Sequence, residues 1–431
     1  MIPTLILLSS AATPSTPLKG KALLSDVSHR AFDFFWNESS APYFFTKDRA
    51  PNSAGGKAKE KTPASIAAVG YALSSNAIGA HRGWVSHKAA LDRTIKTVEN
   101  VLAKAPAYKG WYYHFFDPAN GERMWNCEVS TIDTSLLING LMVAEGYFKS
   151  PKLTRLASEL YGRMDWTFML TDNGTKPQEK FFTMGWKPEE KFLNSRWNDY
   201  NELMHLYVAA YALWPGMPKE SWDKWDRHPV EYKGVHLLRG GPLFLHQMAQ
   251  GFYDFEGRRD RLGYDYWVAG RNGTLAQRLY CIENPLKMAG YGENIWGLSA
   301  CDNPDGYGAQ GAPVDVTDNG TLAPVSATAS VLFTPRESIA ATEAFVTRYP
   351  ESYGRYGFAT GINPGKKWQS QDVIGIDLGQ GQLNIENYLD GGPHKWMMSQ
   401  PRVMKAFRII GLKKTSEGAV NHRALQVNPK G

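Results

Sequence analysis

The sequence predicts an all-α protein, an (α/α)6 barrel of about twelve helices with long loops forming a cleft. Three observations predict it. Helical segments rich in Gly and Ala alternate with more charged ones, as an inner and an outer ring would require. Long aromatic loops recur between them on one side. No series of alternating strand patterns appears, and no low-complexity linker divides the chain.

The elements follow in order. Ser25 to Trp36 reads as an amphipathic helix ending in the aromatic run Phe32, Phe34, Phe35, Trp36, and the polar stretch Gly55 to Lys61 follows. Pro63 opens a small-residue inner helix through Gly79, and Ser86 caps a charged outer helix through Ala103. An aromatic loop from Tyr108 to Trp125 leads to a second inner helix at Ser130. Pro151 opens an outer helix through about Leu170. A second aromatic loop precedes an apolar helix from Tyr200 to Leu213, with Glu202 in its first turn. Pro242 opens the next, and Tyr264 to Glu283 is longer and more polar. A Gly-rich loop then leads to a short segment from Pro324 to Val331 and a helix from Pro335 to Tyr349. The stretch GIDLGQGQ reads as a loop before LNIENYL, and a last helix spans Lys395 to Ile410.

The stretch Asn126 to Gly146 organises the rest. Ser130 and Asp133 stand at capping-box spacing. Ile132, Leu136 and Val143 follow at helical spacing, with Leu137 and Leu141 widening the stripe, and Gly140, Ala144 and Gly146 permit close packing. Two carboxylates, Glu128 and Asp133, therefore stand at the mouth of a buried helix, as catalytic acids or as a loop residue and a cap.

The chain of 431 residues is 43% hydrophobic and 21% charged, the balance of an ordered globular protein. Residues 21–431 read as one domain. Aromatics reach 13%, with 14 Trp and 21 Tyr, many in loop-like segments where flat rings stack on ligands. The net charge of +6 is not gathered into a basic run, which argues against a nucleic-acid partner. No apolar run is long enough to span a bilayer. In residues 1–20, Leu5 to Leu8 and Ser10-Ala11-Ala12 resemble part of an export signal that is incomplete, since no basic residue precedes them; a periplasmic or secreted location is the expectation, and separately a monomer. Cys127, Cys281 and Cys301 allow at most one disulfide.

Metal, serine-nucleophile and phosphate-loop motifs are absent, and Gly379-Gln380-Gly381 is a lone GxG. Asp302-Asn303-Pro304-Asp305-Gly306 is an Asx-rich turn, with or without a cation; no metal or cofactor is assigned. Carboxylates amid aromatics remain: Asp48, Glu128, Asp133, Glu202, Asp302, Asp377 and Glu386. Glycoside hydrolysis needs two carboxyl groups across a sugar bond, and aromatic platforms hold pyranose faces.

Eleven short pieces carry a resemblance. They are Asp48-Arg49, Ser65 to Leu73, Arg82 to Trp84, His114 to Asp117, Glu128 to Leu137, Gly185-Trp186, Tyr200 to Glu202, Leu243 to Gln247, Trp296 to Tyr307, Gly375 to Asp377 and Ile385 to Asn387. In this order, from Phe32 to Gly411, the chain resembles the bacterial glycoamylase-like domain of the endo-β-1,2-glucanases, glycoside hydrolase family 144. It is also similar to the glycoamylase-like region of cyclic β-1,2-glucan synthases. The resemblance implies an (α/α)6 barrel with a central cleft that acts on β-1,2-glucan or its oligosaccharides, usually with inversion. It implies Glu202 as general acid and Glu128 or Asp133 as the opposing carboxylate. Substrate contacts are then expected from Asp48, Arg49, Trp186, Tyr200, His246, Gln247, Trp296, Asp302, Tyr307, Asp377, Glu386 and Asn387. His246, Trp186 and Trp296 have core placements as their alternative, Glu386 a cap or ion pair. The segment after Glu202 and the charges from Arg258 to Arg261 depart from the family pattern and leave endo and exo action both open. A transglycosylase and a non-catalytic glycan-binding protein are the rival readings.

Overall fold

The computed structural model describes residues 18–56 and 61–414. The expected export segment and most of the polar stretch before Lys61 lie outside the described residues. Six inner helices each follow an outer one. α1 (Gly20–Asn37) is outer and α2 (Ile66–Arg82) inner; α3 (His87–Lys104) is outer and α4 (Thr131–Phe148) inner. α5 (Pro151–Gly162) and α6 (Trp166–Thr171) precede the inner α7 (Met204–Leu213), and the one-turn α8 (Ser221–Lys224) precedes the inner α9 (Phe244–Phe252). α10 (Tyr266–Glu283) is outer and α11 (Pro324–Ala329) inner; α12 (Pro335–Arg348) is outer and α13 (Gly375–Leu389) inner, before α14 (Gly392–Met398) and α15 (Pro401–Ile410). Strands of two to four residues form the ribbons between them. The ring closes where α13 packs on α2, so the expected helical barrel is borne out.

The pattern of burial explains the two rings. α4 buries nearly every residue, whereas α3 buries Ala90, Thr94, Thr97, Val98 and Val101, a single stripe at helical spacing. α2 and α4 meet backbone to backbone. A Cβ on Gly140 would lie 1.9 Å from the Gly70 carbonyl oxygen, and one on Gly70 would lie 2.4 Å from that of Leu136.

Several boundaries differ from expectation. Pro63 does not open α2: Ala64–Ser65 is extended against Phe115–Phe116, and Ser65 caps the helix. The helix from Pro151 stops at Gly162, and Asp165 caps α6 as a new start. The last helix breaks at Gln400, whose extended backbone precedes Pro401. GIDLGQGQ is not a loop but the first half of α13. Its glycines let helices approach, since a Cβ on Gly379 would meet the Tyr71 ring at 2.1 Å. The Asx-rich turn closes a hairpin of Ala300–Asn303 and Gly306–Ala309.

α14 packs against α2, α4, α9 and α13 and closes the barrel at their C-terminal ends. There His394 Nε2 lies 2.6 Å from the Gln250 carbonyl oxygen. The three cysteines are buried and unpaired. No helix among the described residues is long and apolar enough to cross a membrane.

Candidate active site

The N-terminal ends of five inner helices converge on one cavity of about 390 Å³, opposite α14. Short ribbons fix those ends. Ala64–Ser65 pairs with Phe115–Phe116 before α2, Val129–Ser130 with Gly185–Lys187 before α4, and Asp372–Ile374 with Arg49–Pro51 before α13. Ser65, Asp133, Glu202, Phe244 and Asp377 reach the cavity from these starts.

On one wall, Ser130 caps α4 and its hydroxyl also donates to Asp133 Oδ2 at 2.5 Å. The helix cap read from the sequence is present, with the Ser130 hydroxyl donating to the Asp133 carboxylate, and Asp133 also lines the cavity. His114 lies between the two acids of this wall. Its Nδ1 is 2.9 Å from Glu128 Oε1, and its Nε2 is 3.6 Å from Asp133 Oδ1. Burial pulls the imidazolium down, but Asp133, Glu128 and Asp48 outweigh it and carry His114 to about 9, a cation at neutral pH. For Glu128, burial favours the neutral acid, but the hydrogen bond and charge of His114 prevail and lower its pKa. Sequence reasoning quoted the HFFD segment but gave His114 no role. The signal available was its pairing with EVSTID, realised as the hydrogen bond from the His114 amide to the Glu128 carbonyl.

Glu202 faces the cavity from the turn before α7, where residues 201–203 are not yet helical. Its Oε2 is buried with no hydrogen-bond partner. Burial, followed by the charge of Asp133, pushes this carboxyl up to about 8, so it holds its proton at neutral pH. The floor below carries the buried Tyr71, whose hydroxyl is likewise unpartnered.

The opposite wall is an ion network. Arg49 donates through Nε to Asp48 and through Nη1 to both oxygens of Asp302, each at 3.1 Å. Ser370 adds a hydroxyl to Asp302 at 3.0 Å. The Thr360 hydroxyl donates to Asp377 at 2.7 Å; burial still raises Asp377 to about 7, with Asp302 and Asp48 adding to it. Asp305, the other acid of the turn, pairs with Lys366, so the two carboxylates of that turn face different cations.

Two aromatics stand at the cavity with much of their surface exposed, Trp125 at 64% and Tyr307 at 56%. Tyr307 rides on the hairpin that Arg49 fastens through Asp302. Trp125 has φ of 58°, a left-handed conformation a bulky side chain rarely adopts, and it was not singled out from the sequence.

Eight expected substrate contacts do not line this cavity; Asp302 is one, held behind Arg49. His246 is buried, with Nδ1 accepting from the Tyr200 hydroxyl at 2.8 Å or the reverse, which places Tyr200 in the core as well. Gln247 bridges to α11 through the Ser326 carbonyl and the Ser330 hydroxyl. Trp296 is fully buried. Trp186 lies in the wall behind, its ring stacked on Tyr108 at 4.2 Å. Glu386 pairs with Arg82 at 2.7 Å and accepts from Ser28, far down α13. Asn387 ties the Gly251 carbonyl and the His394 amide together beneath the barrel. Each lies in the core, behind a wall or at the far end of an inner helix, which a short motif does not distinguish from a lining position.

His114, Glu128 and Asp133 bring ligand atoms within 4.8 Å of one another, as a metal site would. Among the described residues these three meet one another directly, through the His114–Glu128 contact and the longer His114–Asp133 one.

Residues 194–401 match the family model described as "Glycoamylase: Putative glucoamylase", a span that includes Glu202, Asp302 and Asp377. The exo β-1,2-glucooligosaccharide sophorohydrolase (non-reducing end) of Parabacteroides distasonis is 25% identical over 438 residues, covering 91% of this chain. The chain spans 58% of the length of that curated relative. Among solved structures, a "putative glucoamylase" from Bacteroides fragilis NCTC 9343 is 27% identical with a TM-score of 0.83, over 94% of this chain and 100% of that one. The endo-β-1,2-glucanase from Chitinophaga pinensis, solved with sophorotriose and glucose, is 25% identical with a TM-score of 0.83, over 92% of this chain and 99% of that one. These likenesses bear out the resemblance carried by the motifs.

Proposed function

We propose that the chain is a glycoside hydrolase that cleaves β-1,2-glucosidic bonds in β-1,2-glucan or its oligosaccharides, with inversion. The observation that carries the reading is one cavity lined by Glu202 and Asp133, with Glu128 and His114 joined at its edge. Glu202 is held neutral by burial, while Glu128 is held ionised beside Asp133 by His114. In this reading Glu202 gives its proton to the glycosidic oxygen as the bond to C1 breaks. Glu128 or Asp133 takes the proton from a water attacking C1 from the other face. The printed activities of the sophorohydrolase and of the Chitinophaga glucanase support β-1,2-linked glucose as the substrate. Trp125 and Tyr307 supply rings at the cavity for the apolar faces of the sugar.

The test is product analysis on linear β-1,2-glucan between about pH 5 and 8, the range over which the general acid and base are poised. Disaccharide alone from the first minutes indicates exo action, and a ladder of oligosaccharides indicates endo action. Proton NMR of the first product gives its anomeric form. Absence of any released sugar across that range refutes the substrate assignment.

A further inference from the structure

We propose that His114 is a positioning residue: it bridges Glu128 and Asp133 and holds the two carboxylates together at the edge of the cavity. The inference deepens the hydrolase reading and rests on it for its kinetic part only.

Three observations carry it. The ring spans both acids, with Nδ1 at 2.9 Å from Glu128 and Nε2 at 3.6 Å from Asp133. The ring cannot swing away easily, because it stacks on Phe115 with centroids 3.9 Å apart and planes 13° apart. The backbone is pinned on both sides: the His114 amide donates to the Glu128 carbonyl at 2.9 Å, and its carbonyl accepts from Ile66 at the start of α2 at 3.1 Å. One residue thus links the strand before α4 to the start of α2.

The surrounding charges favour the cation. Asp48 faces the ring from the Arg49 side, with Arg49 itself drawn to Asp48 and Asp302. Lys187 acts on Glu128 from the neighbouring strand. Burial opposes the charge, and the three carboxylates outweigh it. A neutral side chain at this position would leave Glu128 and Asp133 facing each other, and facing Asp48, without a cation between them. Glu128 would then hold a proton more readily.

The first arm of the test needs no activity. Histidine-labelled protein is titrated by NMR, with the His114 ring signals assigned by their loss in His114→Gln. The expected midpoint is about 9, falling by roughly one unit or more in Glu128→Gln and in Asp133→Asn as each opposite charge is removed. A midpoint near the ordinary histidine value, or one that ignores either substitution, overturns the bridge whether or not the protein hydrolyses glucan. The second arm is kinetic. His114→Gln should lower kcat roughly 10–100-fold, the cost of a misplaced reacting group, with KM changed less than about threefold. It should also move the acid limb of kcat/KM upward by about one pH unit. A His114→Gln enzyme with parental kcat and an unmoved acid limb overturns the positioning role. If His114→Gln does not fold, the titrations of Glu128→Gln and Asp133→Asn, assigned by comparison with the parent, still decide the bridge.

Discussion

Replacing Glu202 by Gln should cost activity and add stability, and the second effect is the more diagnostic. In the unfolded chain this carboxyl is ionised above its ordinary value of 4.5, whereas in the folded chain burial holds the proton up to about 8. Between those values the folded state binds one proton more than the unfolded state, so stability contributed at this site falls as pH rises through that window. The displacement, at about 1.4 kcal/mol for each tenfold in proton affinity, sets an upper bound of roughly 5 kcal/mol at pH 8. Contact with the solvent in the cavity reduces this to about 2 kcal/mol near neutrality. Glutamine fills the same space with no charge to desolvate. With an unfolding entropy of about 2 cal/mol/K per residue, a domain of this length should gain roughly 2–3 °C in Tm near pH 7.5 and almost nothing near pH 4. The assay is a thermal melt of both proteins across that range, beside product release, which should drop roughly 10²–10⁴-fold. A Tm that falls on substitution at pH 7.5 would refute the reasoning, because it would mean that the carboxylate is charged and partnered in the fold.

Other expectations concern the frame. Gly140→Ala forces a Cβ to 1.9 Å from the Gly70 carbonyl; backbone cannot yield there as a side chain would, so chemical denaturation should show a loss above about 3 kcal/mol. Glu386→Gln should lower stability by about 2 kcal/mol by removing the buried charge that Arg82 and Ser28 hydrogen-bond, Asp390 remaining near Arg82. The same protein should keep kcat/KM within about twofold of the parent, and a larger kinetic loss would place Glu386 at the site after all. Asp302→Asn should loosen the hairpin that carries Tyr307, raising KM roughly tenfold with a smaller change in kcat, read from initial rates on a defined oligosaccharide. In the parent, the alkaline limb of kcat/KM should fall near pH 8 as Glu202 loses its proton; a limb beyond pH 9 would point to a different acid.

The frame was legible because its rules are local. Serines at the starts of α3 and α4 and a proline at the first position of α5 announced those helices. Small residues at Gly70 and Gly140 announced which helices would be enclosed. The same logic failed at GIDLGQGQ, where glycines that admit the Tyr71 ring looked like a loop. For the site, Glu128, Asp133, Glu202 and the Asp48–Arg49–Asp302–Asp377 group were all visible as acids and their partner beside helix starts. What was not visible was depth along a helix. Asp377 and Glu386 lie on the same α13, yet one reaches the cavity and the other seals the barrel near Arg82. His114 escaped notice because its two partners come from the far side of the aromatic loop, and only the ribbon pairing brings them together.

Six carboxyl groups share this cavity or its edge, with Arg49 and His114 as the cations that bridge them. The convergence of five helix beginnings on that space bears on how such crowding is tolerated. Each aligned run of peptide units presents the positive end of its dipole, about half an elementary charge, toward the same point. Together they provide a fixed positive background that does not titrate and that no side-chain substitution removes. The acids therefore sit in a field set by the architecture of the inner ring. Glu202 keeps its proton against that field because burial outweighs it and its Oε2 has no donor, and Asp377 is raised by burial even with the Thr360 hydroxyl on it. The barrel supplies the common potential, and burial together with individual hydrogen bonds decides which acid departs from it.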